Sequence, residues 1–196
     1  MAFIETLSDE RAAGSAAEIY DADRARLGYV PNYSRVFATR PAVYAAWRGL
    51  NGAIKAGMDP RRYELVTVAA ARRLRSSYCA LAHGKVLVDR FFEPAAARDV
   101  VTDHRTAGLD PVDVGVMDLA EKVIDDATSV TESDLDRLRG LGLSDVEIFD
   151  VVVAAAARCF FSKTLDALGV RADAAYRELD PDLREALTVG RPIAQE

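Results

Sequence analysis

Three acidic-proline pairs, Asp59-Pro60, Glu93-Pro94 and Asp110-Pro111, each stand just ahead of residues with helical apolar periodicity. An acidic residue before proline reads as an N-cap followed by proline at the first helical position. There the missing N–H has no intrahelical role and φ is already helical. Strand-like alternation is nearly absent, so the expected fold class is all-α. Other punctuation agrees. Ser8-Asp9-Glu10 is expected to open a first helix that runs to about Gly28, where Gly28-Tyr29-Val30-Pro31-Asn32 breaks it. Pro41 opens a helix carrying Val43, Trp47 and Leu50. Thr131 is a further N-cap, and Ser144-x-x-Glu147 matches a capping box. Gly169 reads as a stop after Leu165 and Leu168. The tail after Gly190 is expected to fray.

The 196 residues suffice for one domain with a sizeable core. The best internal boundary, residues 107–111, is a short loop with helix on both sides, so residues 1–196 read as a single domain. Half the residues are apolar and 29% are charged, as in an ordinary soluble globular protein. A net charge of −6 without a Lys/Arg cluster argues against nucleic acid or an anionic membrane as partner. No apolar run approaches the roughly 18 residues of a membrane-spanning helix. The opening MAFIETLSDERAAG lacks the basic and apolar regions of a signal peptide. The expected compartment is the reducing cytoplasm, where two cysteines are catalytic or buried rather than a disulfide framework.

Chemistry concentrates in SSYCALAH, residues 76–83. The basic segment Arg72-Arg73-Leu74-Arg75 ends one helix, and Ser76 is expected to cap the next by accepting the N–H of residue 78 or 79. Cys79 then falls in the first turn, where free N–H groups and the helix dipole are expected to lower its pKa. His83 lies one turn on, on the same face, placed to take or balance the thiol proton. Glu64 sits on the preceding helix among Tyr63, Leu65, Val66 and Val68, so burial would raise its pKa. A helical hairpin could bring it to Cys79 and His83. Each also has a plainer reading: Cys79 as a small core residue, Glu64 as a surface carboxylate, His83 as an ordinary satisfied histidine. A metal held by Cys79, His83 and Glu64 has plausible ligand types but weak spacing evidence, and no metal or other cofactor is expected. Tyr78 could line a pocket or an oligomer contact. Trp47, Tyr44 and Tyr33 read as packing, and His104 as an exposed loop or helix-end residue.

An internal echo pairs VTVAAARR (66–73) with VVVAAAAR (151–158). It fits either two alanine-rich buried helices or a duplicated helical unit. The positions matching Glu64, Cys79 and His83 are Phe149, Thr164 and Leu168, so a second copy would lack the chemistry.

Glu64, Ser76, Cys79 and His83 together resemble the alkylhydroperoxidase D-like (AhpD-like) pattern of the carboxymuconolactone decarboxylase superfamily: Glu, eleven residues, Cys-x-x-Cys, three residues, His. Spacing matches at four positions and identity at three. Residues 27–50 are similar to the stretch preceding that motif, and residues 143–170 to its later helical segment. The resemblance implies an AhpD-like helical bundle and a homo-oligomer (trimer, hexamer or dimer). It also implies a peroxidatic Cys79, a base in Glu64 and a relay in His83. Ser76 departs from it, standing where the resolving cysteine belongs. A sulfenic acid at Cys79 would then need an external thiol reductant, or Cys159 in its apolar helix.

The leading expectation is a peroxidase-related antioxidant protein in which Cys79 reduces a hydroperoxide. Ser76 would be a partner of the thiolate. One alternative is acid–base chemistry by Glu64 and His83 on a small organic acid. The other is a catalytically decayed oligomeric relative.

Overall fold

The computed structural model describes residues 2–195, and its described residues form ten α-helices and two short 3-10 segments with no strand. The helix started by Asp59-Pro60 is central. This α4 (Pro60–Arg73) is capped by the Asp59 carboxylate, which accepts the Arg62 N–H at 2.9 Å. Every residue from Tyr63 to Ala71 is buried. A helix apolar on all sides must be surrounded, and α4 packs against α5 (Ser77–Arg90), α7 (Pro111–Asp126) and α9 (Asp145–Ala167). Its alanines let these helices approach closely, and Leu65, Val66 and Val68 fill the space between. Glu64 is the one ionisable carboxylate in that buried run, so the fold must supply it with partners.

Around this centre lie α1 (Ser15–Leu27), α2 (Asn32–Phe37), α3 (Pro41–Gly57), α6 (Pro94–Thr102), α8 (Glu132–Gly140) and α10 (Pro181–Leu187). The acidic-proline pairs Asp59-Pro60, Glu93-Pro94 and Asp110-Pro111 each start a helix. So does Asp180-Pro181, whose carboxylate accepts the N–H groups of Asp182 and Leu183. The Ser144–Glu147 capping box opens α9, and Gly169, with φ +72°, ends it.

The first helix differs from expectation. Its start is Ser15, not the Ser8 region. Asp9 does not cap a helix, because its carboxylate is held by Arg24 and Arg35. Gly14, at φ +54°, turns the chain into α1. The tail beyond Gly190 is also docked rather than frayed. Gly190 donates its N–H to Ser77 Oγ at 2.8 Å, and Ala194 donates to the Ala172 carbonyl at 2.8 Å.

The echo holds for one helix only. Residues 66–73 run to the last residue of α4, whereas 151–158 lie inside the 23-residue α9, which continues through the positions matched to Cys79. Among the described residues, no helix is long and apolar enough to cross a membrane.

Candidate active site

The site begins with the turn that the second octet lacks. After α4, Arg75 adopts φ +57°, the only non-glycine residue in the left-handed region among those described. The Ser76 N–H then reaches back to the Ala71 carbonyl and the Arg75 N–H to that of Arg72, both at 2.9 Å. This is a Schellman closure built on arginine instead of glycine. It reverses the chain and lays α5 along α4, with His83 facing Glu64.

His83 Nδ1 lies 2.6 Å from Glu64 Oε2, and Lys55 Nζ from α3 lies 3.4 Å from Oε1. The other ring nitrogen, Nε2, is 3.0 Å from Arg158 Nη1. Arginine can only donate, so Nε2 is an acceptor and the proton sits on Nδ1, donated to Glu64. His83 is therefore a neutral imidazole in a fixed tautomer. Burial lowers its pKa, and Arg158 and Lys55 reinforce this against the pull of Glu64. Burial pushes the Glu64 carboxyl up. The His83 hydrogen bond and the Lys55 ammonium more than offset that, leaving it below its ordinary range. The rise expected from burial alone is thus reversed by its partners.

Arg158 is the residue that sequence reasoning missed. It is buried, its Nη2 donates to Asn51 Oδ1 at 2.7 Å, and its guanidinium lies 4.9 Å from the centre of the Trp47 ring. The Tyr63 hydroxyl donates to the same Asn51 oxygen at 2.8 Å. The signal was present as one arginine after four alanines in an apolar helix. A lone charge there either ends the helix or needs a buried partner.

Cys79 occupies the third position of α5, as expected, but the thiol is buried and forms no hydrogen bond with His83. Burial raises its pKa. Arg158, Ser162 and Ser76 pull it back without overcoming the burial. The expected lowering fails because the first-turn dipole acts on a group wholly removed from water. Ser76 sits at the N-cap but makes no side-chain cap. Its hydroxyl lies beside Cys79 and Asp166 instead. The structure thus joins Glu64 to His83 and His83 to Arg158, while Cys79 bonds to none of the three.

Glu64 and His83 line a cleft of about 480 Å³, together with Lys55, Tyr29, Tyr33 and Tyr176. Tyr33 is therefore more than packing. Tyr78 lies outside the cleft lining. Buried, it donates to Asp173, which also accepts the Asn32 N–H at 2.8 Å and so ties the cleft rim together. Cys159 is half-buried on α9. His104 is buried, not exposed, with Nε2 3.0 Å from Asp118 Oδ1. With Glu121 it forms a set of metal-type donors. Arg105 and Arg137 already neutralise both carboxylates there.

The fold has counterparts. The alkylhydroperoxidase AhpD core structure from Ralstonia eutropha JMP134, described as an uncharacterized peroxidase-related protein, superposes with a TM-score of 0.80 at 21% identity. The match covers 97% of this chain and 98% of that one. The chain has the AhpD fold. A peroxidase-related protein from Silicibacter sp. TM1040 shares it at TM-score 0.74 and 22% identity, over 90% of this chain and 91% of the other. The AhpD fold also carries a different activity. The debrominase Bmp8 matches at TM-score 0.75 and 13% identity, over 93% of this chain and 96% of its own, and has also been solved in complex with 2,3,4-tribromopyrrole. No protein-family model matches the chain, and neither does any curated protein.

Proposed function

We propose that this protein is a thiol-dependent hydroperoxide reductase of the peroxidase-related kind, with Cys79 as the reacting thiol. The observation that carries this reading is the polar setting of a buried cysteine. A cysteine serving only as a core residue needs apolar neighbours. Cys79 instead has two buried serine hydroxyls beside it and lies in the field of the buried Arg158 guanidinium. The peroxidase-related proteins that share the fold agree with this reading.

In the reaction, the Cys79 sulfur attacks the terminal oxygen of a hydroperoxide. An S–O bond forms and the O–O bond breaks. The thiol proton leaves with the alkoxide as ROH, and sulfur is oxidised by two electrons to a sulfenic acid. An external thiol attacks that sulfur and releases water, and a second thiol molecule frees Cys79 as the disulfide of the reductant departs. Arg158 favours the thiolate by its charge. The ionised Glu64 fixes His83, and His83 in turn fixes Arg158. Metal or cofactor plays no part in this scheme. The proposed protein works as a homo-oligomer in the cytoplasm, and the exposed Val146, Phe149 and Phe160 on α9 supply apolar surface for self-association. The test is consumption of tert-butyl hydroperoxide in the presence of dithiothreitol. Wild type is expected to turn over and Cys79→Ala to be inert. Equal rates in the two would sink the proposal.

A second reading has its own support: Glu64 and His83 line the cleft, whereas Cys79 does not. The pair would then perform acid–base chemistry on a small organic acid. Under this reading Cys79→Ser keeps full activity and His83→Gln loses it.

A further inference from the structure

Among the described residues, four buried side-chain atoms have no hydrogen-bond partner: Ser76 Oγ, Ser162 Oγ, Arg158 Nε and Asp113 Oδ2. Asp113 is explained, because Arg61 and Arg62 form ion pairs with it at 2.6 and 3.2 Å. The other three gather around α5, which carries Cys79: Ser76 is its N-cap, and Arg158 and Ser162 stand one turn apart on the same face of α9, which packs against α5. Ser76 and Ser162 are wholly shielded from solvent, and Arg158 nearly so. Unpaired buried donors cost stability, and native structures rarely collect them in one place without use.

A thiol cannot satisfy them. Its sulfur is a weak acceptor. A sulfenate, S–O⁻, carries an oxygen with three lone pairs and a negative charge, a far stronger acceptor for such donors. We propose that Ser76, Ser162 and Arg158 form an oxygen-anion pocket that holds Cys79 as a long-lived sulfenate. This rests on the hydroperoxide-reductase reading and adds to it the state in which the enzyme waits for its reductant. Ser76 then has a role in place of the missing resolving sulfur, because it stabilises the oxidised cysteine without capturing it. Asp166 is the opposing neighbour: its carboxyl competes for the Ser76 hydroxyl, and its charge disfavours an anion at Cys79. Burial raises its pKa, which reduces that opposition.

The hydroperoxide is the oxidant, and the two electrons it takes from sulfur leave with ROH. Further oxidation to sulfinic acid requires the sulfenate to attack a second hydroperoxide. Charge-assisted hydrogen bonds to the sulfenate lower its energy and slow that attack. Losing one such bond is worth about tenfold in rate.

The experiment uses the full chain carrying Cys159→Ala, so that Cys79 is the only thiol. It is treated with one equivalent of tert-butyl hydroperoxide, trapped with dimedone at intervals, and read by intact mass. Retained thermal unfolding of each variant serves as the folding control. The parent is expected to gain one oxygen and to stay dimedone-reactive. Ser162→Ala and Ser76→Ala are each expected to shorten that period about tenfold, ending in sulfinic acid once a second equivalent is present. Ser76→Cys is expected to lose two hydrogens as a disulfide instead of retaining the added oxygen. Unchanged lifetimes in both alanine variants overturn the pocket and leave the reductase reading standing. A sulfenic acid persisting in folded Ser76→Cys also overturns it, since residue 76 then does not face the sulfur. A parent Cys79 that remains a thiol overturns the reductase reading itself.

Discussion

Residues 66–73 and 151–158 share an alanine-rich pattern that ends in arginine, yet the two arginines meet opposite environments. Arg73 closes α4 half-exposed and pairs with Asp125 at the surface. Arg158 lies in mid-helix, buried under Trp47, and bonds His83 and Asn51. The residues just after each octet decide the difference. After Arg73, Leu74 and Arg75 turn the chain, and the arginine is left at a helix end where its charge suits the dipole. After Arg158, Cys159, Phe160 and Phe161 continue the helix and pack the arginine inward. A short pattern thus specifies a helix, while its neighbours specify what the helix does with its charge.

Replacing both arginines gives the largest contrast. Arg158→Leu removes two buried hydrogen bonds and leaves Glu64 and His83 without their third member. It should cost about 3 kcal/mol in urea unfolding and abolish turnover. Arg73→Leu removes one surface pair and should cost at most about 0.5 kcal/mol. Comparable losses would show that the octets are energetically alike after all.

The turn that separates the octets can be broken next. A Cβ at Gly190 would sit 2.0 Å from the Arg75 carbonyl oxygen, and backbone cannot yield as a side chain can. Gly190→Ala should cost about 2 kcal/mol and release the C-terminal segment, seen as faster amide exchange at Ser77 and Gly190. No comparable turn exists in mid-α9.

The ionisation states on the two sides of Arg158 give a pH signature. Folded His83 has a pKa below the ordinary 6.5, so the unfolded chain binds its proton more readily. Stability from this site is therefore complete above about pH 6.5 and declines as pH falls toward the folded value. Glu64, also lowered, adds a second decline below its ordinary 4.5. Chemical unfolding from pH 7 to 4 should show both ranges, and His83→Gln should flatten the upper one. An unchanged upper range in that variant would mean that another group carries it.

The smallest expected effect is a gain. Arg75 holds a left-handed φ that glycine adopts freely. Arg75→Gly should stabilise by about 0.5 kcal/mol, with the greater unfolded-chain entropy of glycine limiting the benefit. A loss of stability would mean that the Arg75 side chain, whose Nε reaches the Val189 carbonyl at 3.5 Å, matters more than its backbone strain.

Helix starts were legible because proline and capping residues act locally, and Asp59, Ser144 and Gly169 did what such residues do in isolation. Spacing allowed a hairpin to bring Glu64 to His83 and Cys79 without fixing it, and the structure makes only the His83 contact. The state of Cys79 was not. A helix-start position argues for a low pKa, and only three-dimensional packing reveals that the sulfur is sealed from water. Arg158 was hidden for a related reason. It is 75 residues from His83 and 107 from Asn51, so no local pattern marks it as their partner. The first helix failed because Asp9, a plausible cap, was claimed by Arg24 and Arg35.

The Ser77–Gly190 hydrogen bond spans 113 residues of sequence. During synthesis the Glu64–His83 hairpin emerges early, and both the arginine that orients it and the glycine that seals its turn emerge much later. Contacts of such separation form late and slow folding. A nascent chain therefore carries Cys79 through most of its translation without the walls that shield it. The thiol is open to adventitious oxidants in that interval, and the polar walls that shape its reactivity are completed only as the last helices arrive.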